Sequence, residues 1–270
     1  MRTITGKDNQ WLKILRAVAT KKGRKQYGCY LAEGLRLCGE VLDQSLPVLQ
    51  MLVSESALED SRFAALCARA EQAGLPVAAV RNGLLESACA TDHPQGVAML
   101  LPLPEPLPLP RVEGGCYAYA DGIRDPGNLG TIIRTARAAG VQGLLLSPDS
   151  ADLLNPKTVR SAMGASLRLP IRCCAAPEEA RQILADLGCA ILVAAAEGRD
   201  IQGCGPLLQQ THCWVLGSEA EGASAFWREQ AQALVCLPME PGSESLNVAS
   251  AAAVLFYQSR FARALLSQDL

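Results

Sequence analysis

Metal-binding and nucleotide-binding patterns are missing from this sequence. It contains only two histidines, His93 and His212, and its eleven cysteines form no Cys-x-x-Cys pair. Zinc sites need three or four suitably spaced His, Cys or carboxylate ligands, so the sequence predicts no metal site. It also has no Gly-x-x-x-x-Gly-Lys loop, no Gly-x-Ser-x-Gly elbow and no Gly-x-Gly-x-x-Gly turn after a strand. P-loop NTPases, the common serine hydrolases and dinucleotide-binding oxidoreductases are therefore disfavoured.

Long apolar runs and a disulfide framework are missing too. One of the longest apolar runs, Cys189–Ala196, covers eight residues, whereas a helix needs about 20 apolar residues to cross a bilayer. An odd number of scattered cysteines favours reduced, mostly buried thiols. Residues 1–30 are too polar for a secretory signal. We therefore expect a cytoplasmic protein without a membrane segment.

Acidic residues are scarce in one part of the chain. Residues 1–36 hold nine Lys and Arg but only two Asp and Glu, although the formal net charge of the whole sequence is −2. A basic cluster on an otherwise acidic chain is typical of a contact with a polyanion such as RNA. The alternative is a solvated helix face. The residues predicted here to contact RNA are Lys21, Lys22, Arg24 and Lys25.

Prolines are concentrated in one segment. They occupy every second position from Pro102 to Pro110, and proline cannot continue a helix or a central strand. We therefore predict an extended linker over residues 101–111. Alternating helical and strand patterns on both sides predict a small α/β domain over residues 1–100 and a larger one over residues 112–270. The larger domain is expected to contain a mostly parallel sheet of five or six strands.

A turn rich in Asp, Pro and Gly follows the predicted strand Cys116–Ala120. Loops at the carboxyl ends of parallel strands lie where such sheets bind ligands. A helix is predicted to start near Asn128, a residue type that caps helices. Arg134 lies six residues further on. The alternative is an ordinary connection with an exposed arginine.

Two later loops also carry small and polar residues after a predicted strand. The strand His212–Leu216 leads into Gly217-Ser-Glu-Ala-Glu-Gly222, where glycine lets a ligand approach the backbone. An ordinary acidic turn is the alternative there. The third loop runs from Leu237 to Asn247 and leads into a C-terminal helix. The exposed amides at the start of this helix are suited to bind an adenine edge. The alternative is a simple capped helix.

The three loops together resemble the three signature motifs of the SpoU/TrmH branch of the SPOUT RNA methyltransferases. The matching positions occur in order over residues 116–260. Residues 7–100 resemble the ribosomal-protein-like substrate-binding domain that often precedes this fold, through Tyr30–Gly34 and the basic cluster. The matching positions are Asn128, Gly130 and Arg134 in the first motif, Gly217, Glu219 and Gly222 in the second, Pro238, Met239 and Glu244–Asn247 in the third, and Asn155, Pro156, Arg160, Ser161 and Gly164 between the first two.

The resemblance implies a fold, a cofactor and a reaction. The larger domain would contain a deep trefoil knot that forms a pocket for S-adenosylmethionine, and two copies would form a homodimer with shared active sites. A ribose 2′-oxygen of RNA would attack the donor's methyl group, with Arg134 stabilising the developing negative charge and Glu219 orienting Arg134 or the nucleotide. The implied catalytic residues are Arg134, Asn128, Glu219, Ser245 and Asn247; the implied donor-binding residues are Leu216, Gly217, Leu237, Met239, Ser245, Leu246 and Asn247; Arg124 and Arg160 are implied phosphate contacts.

Two classes of RNA are candidate substrates. Large-subunit rRNA is preferred because of the basic N-terminal domain, with tRNA as the alternative. A non-catalytic RNA-binding factor for ribosome assembly on the same fold is disfavoured by the intact Asn128, Arg134 and Glu219. A small-molecule methyltransferase is disfavoured by the basic cluster.

Overall fold

The chain divides into two compact units. The computed structural model describes residues 1–89, 94–240, 242 and 245–266. The first unit contains Met1–Glu105 and Asp152–Leu167, and the second contains Pro106–Ala151 and the described residues from Arg168 onward. The segment Asp152–Leu167 thus belongs with the first unit, although the chain on both sides of it lies in the second.

A mixed five-stranded sheet forms the centre of the first unit. The elements in chain order are β1 (Arg2–Ile4), α1 (Gln10–Ala17), α2 (Lys21–Tyr27), β2 (Cys29–Glu33), α3 (Leu35–Asp43), β3 (Gln50–Ser54), α4 (Ser61–Gln72), β4 (Val77–Val80) and β5 (Val97–Pro102). The strand order is β1-β4-β3-β5-β2, with β5 antiparallel to both of its neighbours and the other pairs parallel. Apolar clusters containing Met51 and Leu52, which are consecutive in β3, cover opposite faces of the sheet. Beyond β5, residues 103–108 of the proline-rich segment are exposed and form neither helix nor strand.

A parallel six-stranded sheet forms the centre of the second unit. The remaining elements are β6 (Cys116–Ala120), α5 (Pro126–Ala139), β7 (Gly143–Leu146), α6 (Pro156–Ser161, in the first unit), β8 (Ile171–Cys173), α7 (Pro177–Asp186), β9 (Ala190–Asp200), α8 (Gly205–Leu208), β10 (His212–Leu216), α9 (Ala225–Glu229), β11 (Ala233–Cys236) and α10 (Val248–Leu266). Every strand pair in this sheet is parallel, which confirms the predicted fold class. Within the described residues, no helix is both long and apolar enough to cross a membrane.

The strand order of the second sheet, β11-β9-β10-β6-β7-β8, creates a switch point between β6 and β10. From β6 the chain continues to β7 and β8 on one side, and then returns to build β9, β10 and β11 on the other. Connections from two neighbouring strands that lead away in opposite directions leave a crevice at their carboxyl ends. The loops after β6 and β10, which carry the first and second motifs, both begin at this crevice.

A buried chain of hydrogen bonds attaches α10 to β10. Ser259 Oγ lies 2.8 Å from both His212 Nε2 and Trp214 Nε1, and His212 Nδ1 lies 2.7 Å from the carbonyl of Gln210. Because a carbonyl only accepts, Nδ1 carries the imidazole proton, Nε2 accepts from Ser259, and Ser259 accepts from Trp214. Burial lowers the pKa of His212 to about 4, and Arg263 contributes in the same direction. His212 is therefore neutral in the folded protein at pH 7.

We expect His212 to make the folded state sensitive to acid. Its pKa is 6.5 when unperturbed and about 4 in the folded chain, so the unfolded chain takes up the proton first as the pH falls. The stabilisation from neutral His212 is complete above pH 6.5 and is lost towards pH 4, at about 1.4 kcal/mol per pH unit. The free energy of unfolding in urea should be measured for the wild type and for His212→Gln. The difference between the two should shrink by about 1.4 kcal/mol for each pH unit as the pH falls from 6.5 towards 4. A difference independent of pH would contradict the assignment.

Candidate active site

The loop after β6 is held by a carboxylate of its own and by two serines that follow the next strand along the chain. Asp125 caps α5, accepting a hydrogen bond at 2.8 Å from the amide of Asn128. The prediction that Asn128 is the cap was wrong, since the helix begins at Pro126 and the Asn128 side chain is free for other contacts. After β7, Ser147 Oγ accepts from the amide of Gly122 at 2.9 Å, and Ser150 Oγ accepts from the amide of Ile123 at 3.2 Å.

Neither serine was predicted from the sequence. They follow β7, whose carboxyl end lies beside that of β6, so polar residues after that strand were the available signal. Ser147 in turn donates to Asp149 at 2.6 Å. Together they fix the backbone of the loop that carries Arg124.

The loop after β10 is a tight turn with Glu219 on it. The amide and carbonyl of Ser218 exchange hydrogen bonds with Gly222 at 3.0 and 2.9 Å. Gly217 has no room for a side chain, because a Cβ there would lie 1.9 Å from the amide nitrogen of Ala223. The amide of Ser224 donates to Asp121 at 2.7 Å, which ties this loop to the one after β6. The turn therefore holds the exposed Glu219 in a defined place.

The third motif reaches the site through the start of α10. Asn247 caps this helix, since its Oδ1 accepts from the amides of Ala249 at 2.9 Å and Ser250 at 3.3 Å. Ser245 and Leu246 are exposed just before it. Pro241, Ser243 and Glu244 of the same loop lie outside the described residues.

Three side chains from the three motifs meet in one hydrogen-bonded group, which we call the Asn–Glu–Asn cluster (Asn128, Glu219 and Asn247). Asn128 Nδ2 donates to Glu219 Oε1. Asn247 Nδ2 donates to the same oxygen at 3.2 Å and to Asn128 Oδ1 at 3.1 Å. One carboxylate oxygen thus accepts from two amides, and the capping bonds of Asn247 set the orientation of its amide. Loops far apart in sequence are joined here at one edge of the sheet.

Arg134 lies on the exposed side of α5, in the same helix as Asn128. Within the described residues, no carboxylate forms an ion pair with its guanidinium. Glu219 bonds to the two asparagines instead, so the expectation that it orients Arg134 has no support in these contacts. An exposed guanidinium with no such ion pair is available to an anionic ligand.

The residues expected to bind the donor fit a ligand with one flat apolar part. Leu216 is buried at the end of β10, whereas Gly217 and Leu237 are half-buried. Met239 and Leu246 are 39% and 46% exposed, so two apolar side chains on this loop have surface left to cover. S-adenosylmethionine has such a part in its adenine ring. Among the described residues, no three His, Cys, Asp or Glu are grouped to hold a metal ion.

The residues predicted to contact RNA differ in exposure. Lys21, Lys22 and Lys25 are exposed on α2. Arg124 is exposed, with its Nη2 4.0 Å from Asp149 Oδ2, and Arg160 lies partly exposed with Nη1 4.0 Å from Glu33. Arg24 is only 4% exposed, and its guanidinium is bonded to protein atoms. The prediction that Arg24 contacts RNA is therefore corrected, because a phosphate has no access to it.

Known families and structures match both parts of the chain. Residues 116–257 match the SpoU rRNA Methylase family, and residues 9–99 match the MRM3-like substrate binding domain. The chain is 31% identical to an uncharacterised tRNA/rRNA methyltransferase of Synechocystis, covering 96% of this chain and 93% of that one. It is 29% identical to the 23S rRNA (guanosine(2553)-2′-O)-methyltransferase RlmP of Bacillus subtilis, covering 96% and 100%.

Solved structures agree with these sequence matches. The AdoMet-bound rRNA methyltransferase from Sinorhizobium meliloti is similar with a TM-score of 0.83 at 27% identity, covering 96% of this chain and 97% of that one. The SpoU methyltransferase AviRb from Streptomyces viridochromogenes is similar with a TM-score of 0.84 at 25% identity, covering 95% and 98%. Each similarity extends over both units of this chain.

Proposed function

The chain belongs to the SpoU rRNA methylase family, and from this we infer that it transfers the methyl group of S-adenosylmethionine to a ribose 2′-hydroxyl of RNA. The observation that carries the proposal is the Asn–Glu–Asn cluster, which joins all three motif loops at the switch point of a parallel sheet. Arg134 is exposed on the helix that supplies Asn128. A cation near the attacking oxygen stabilises the negative charge that develops on it.

The chemistry needs help at the attacking oxygen. S-adenosylmethionine supplies an electrophilic methyl group on a sulfonium. A ribose hydroxyl is a poor nucleophile until its proton leaves, and Arg134 stabilises the negative charge that develops on the oxygen. A guanidinium has N–H donors but no acceptor for a proton, so an RNA phosphate or water takes that role. Leu216, Gly217, Leu237, Met239, Ser245 and Leu246 bind the donor, and the cluster orients the ribose.

Large-subunit rRNA is the substrate class we propose. The relatives from Bacillus subtilis and Streptomyces viridochromogenes are named as 23S rRNA 2′-O-methyltransferases. Exposed Lys21, Lys22 and Lys25 on α2 provide positive charge for the RNA backbone. Transfer RNA is the alternative.

Transfer of methyl groups to RNA without a metal tests the proposal directly. We expect the purified protein to bind S-adenosylmethionine and to label RNA in the presence of a chelator, because the donor residues include no His, Cys, Asp or Glu. Digestion to nucleosides should place the label on the ribose. A label on the base, or a label found only in small metabolites, would contradict the proposal. So would activity that requires a divalent ion even when the RNA has been folded beforehand.

A homodimer is part of the proposal, and an apolar stripe on α10 supports it. Val254, Tyr257 and Phe261 are 41%, 37% and 58% exposed, and the rings of Tyr257 and Phe261 lie 5.9 Å apart. Residues at this spacing lie on one helix face. A contiguous exposed apolar surface is typical of an interface between chains, and a second copy presents the same stripe.

Sedimentation at micromolar concentration tests the dimer. Phe261→Asp places a charge in the stripe, so we expect the wild type to sediment as a dimer and the variant as a monomer. Leu49→Asp in the first unit is the matched control, because Leu49 is 41% exposed and lies outside α10. A wild-type monomer, or a dimer unaffected by Phe261→Asp, would reject this interface. The knot and the cytoplasmic location stay predictions.

A further inference from the structure

One arginine of the basic cluster, Arg24, is buried in the first unit and bonded to protein atoms there. Arg24 Nη1 donates to the carbonyls of Val18 at 2.7 Å and Ala19 at 3.1 Å. Its Nη2 donates to Asp152 Oδ2 at 2.7 Å, and the Arg24 side chain is 5% exposed. A single guanidinium therefore joins the end of α1, the helix α2 and the segment that starts at Asp152.

The contact between α1 and α2 is tight at this place. A Cβ on Gly23 would lie 1.9 Å from the carbonyl oxygen of Ala17, so the two backbones touch. Thr20 Oγ1 accepts from the amide of Gly23 at 3.1 Å and fixes the start of α2. The carbonyls of Val18 and Ala19 directly follow the last residue of α1 and accept from the cation of Arg24, and positive charge is favourable at a helix C-terminus.

The exposed side of the same two helices carries the basic residues. A helix as short as α2, with seven residues, is not stable by itself, and its orientation depends on tertiary contacts. Removing one partner of a buried ion pair leaves an uncompensated charge, which favours a rearranged structure. The surface concerned, which we call the basic surface, consists of Lys13, Arg16, Lys21, Lys22 and Lys25.

We propose that Asp152 is a positioning residue for RNA binding: by holding Arg24, it keeps α2 docked and the basic surface in the arrangement that RNA recognises. The proposal rests on the function inferred above. Asp152 then favours the binding of a polyanion although its own side chain is acidic. Direct electrostatics gives the opposite sign, because removal of a negative charge near the basic surface strengthens RNA binding.

A direct contact between Arg24 and a phosphate would change the salt dependence of RNA binding, whereas a positioning role of Arg24 would not. If Arg24 contacted a phosphate, Arg24→Met would reduce the slope of log affinity against log salt by about 0.9. If Arg24 and Asp152 only hold α2 in place, their loss reduces the fraction of binding-competent molecules. The dissociation constant then rises by the same factor at every salt concentration, and the plots are parallel.

Fluorescence anisotropy with a fluorescein-labelled single-stranded RNA of about 20 nucleotides provides the test. Asp152→Asn should raise the dissociation constant about ten-fold, as expected if about a tenth of the molecules keep α2 docked, with an unchanged salt slope. Arg24→Met should do the same, and the double variant should bind no more weakly than the weaker single variant. The exposed pair Asp43 and Arg69 supplies matched controls, because Asp43→Asn and Arg69→Met remove the same charges from the same unit.

Each outcome decides a different point. Binding by Asp152→Asn as tight as the wild type or tighter, in protein shown to be folded by its melting curve, overturns the proposal. So does a salt slope reduced by about one in Arg24→Met, or additive effects in the double variant. If Arg24→Met does not fold, the sign of the Asp152→Asn effect still decides. A wild-type protein that binds no RNA contradicts the proposed function instead.

Discussion

Arg134→Lys lowers the rate of methyl transfer about 100-fold or more. Lysine keeps the positive charge but loses the planar fork that contacts two oxygens at once. The expected loss corresponds to about 2.7 kcal/mol of barrier, the size measured for removal of one donor to a developing oxyanion. Donor affinity and melting temperature should barely change, because Arg134 is exposed. Single-turnover kinetics with saturating RNA and donor separate the chemical step from binding.

Arg137→Lys is the matched control for this experiment. Arg137 is also exposed on α5, in its last turn, so the same change is made on the same helix away from the cluster. Its rate should stay at the wild-type level. Near wild-type turnover by Arg134→Lys would reject the proposed mechanism, and unfolding of that variant would make Arg134 a structural residue.

Asn128→Asp is expected to disrupt the site and lower the rate by two decades or more. Asn128 Nδ2 donates to Glu219 Oε1, so an aspartate would place two carboxylates at hydrogen-bond distance. Their repulsion costs a few kcal/mol at intermediate dielectric constants. The N-terminal position in α5 favours a carboxylate by only about 0.3–1 kcal/mol, which does not offset it. Donor affinity and melting temperature should fall together with the rate.

A charge swap tests whether the arrangement of the cluster is the cause. In Asn128→Asp combined with Glu219→Gln, the new amide donates to the new carboxylate, and Asn247 can still donate to either oxygen. Donor affinity and melting temperature should recover towards wild type, with partial recovery of the rate. Glu219→Gln alone should have a small effect, since its amide oxygen still accepts from both asparagines. A swap no better than Asn128→Asp alone would show that the cluster does not act through these contacts.

The sequence predicted the second unit well because its signals are local. The strands Cys116–Ala120 and His212–Leu216 have the predicted limits, since short apolar runs bounded by glycine and polar turns define them. The meeting of the three motif loops followed from a parallel sheet, whose carboxyl ends share one edge. The predicted cap of α5 was wrong because Asp125 and Asn128 are both residue types that cap helices. Proline favours the first position of a helix, so Pro126 indicates Asp125, the residue before it, as the cap.

Long-range pairing limited the prediction for the first unit. Arg24 looked like its neighbours Lys21, Lys22 and Lys25, and its partner Asp152 is 128 residues away. Local charge patterns contain no information on such a pair. For the same reason, the placement of Asp152–Leu167 with the first unit was not visible in the order of elements along the chain.

The Asn–Glu–Asn cluster also has a consequence for biosynthesis. Its members are 91, 28 and 119 residues apart in pairs, so the site closes only after the last helix has been synthesised. All residues of the first unit precede Arg168 and leave the ribosome earlier. A product of premature termination between these points would carry the complete basic surface without the capping asparagine of α10. Such a fragment would lack the contacts of Asn247 with Asn128 and Glu219, so the hydrogen-bonded group of the active site could not form in it.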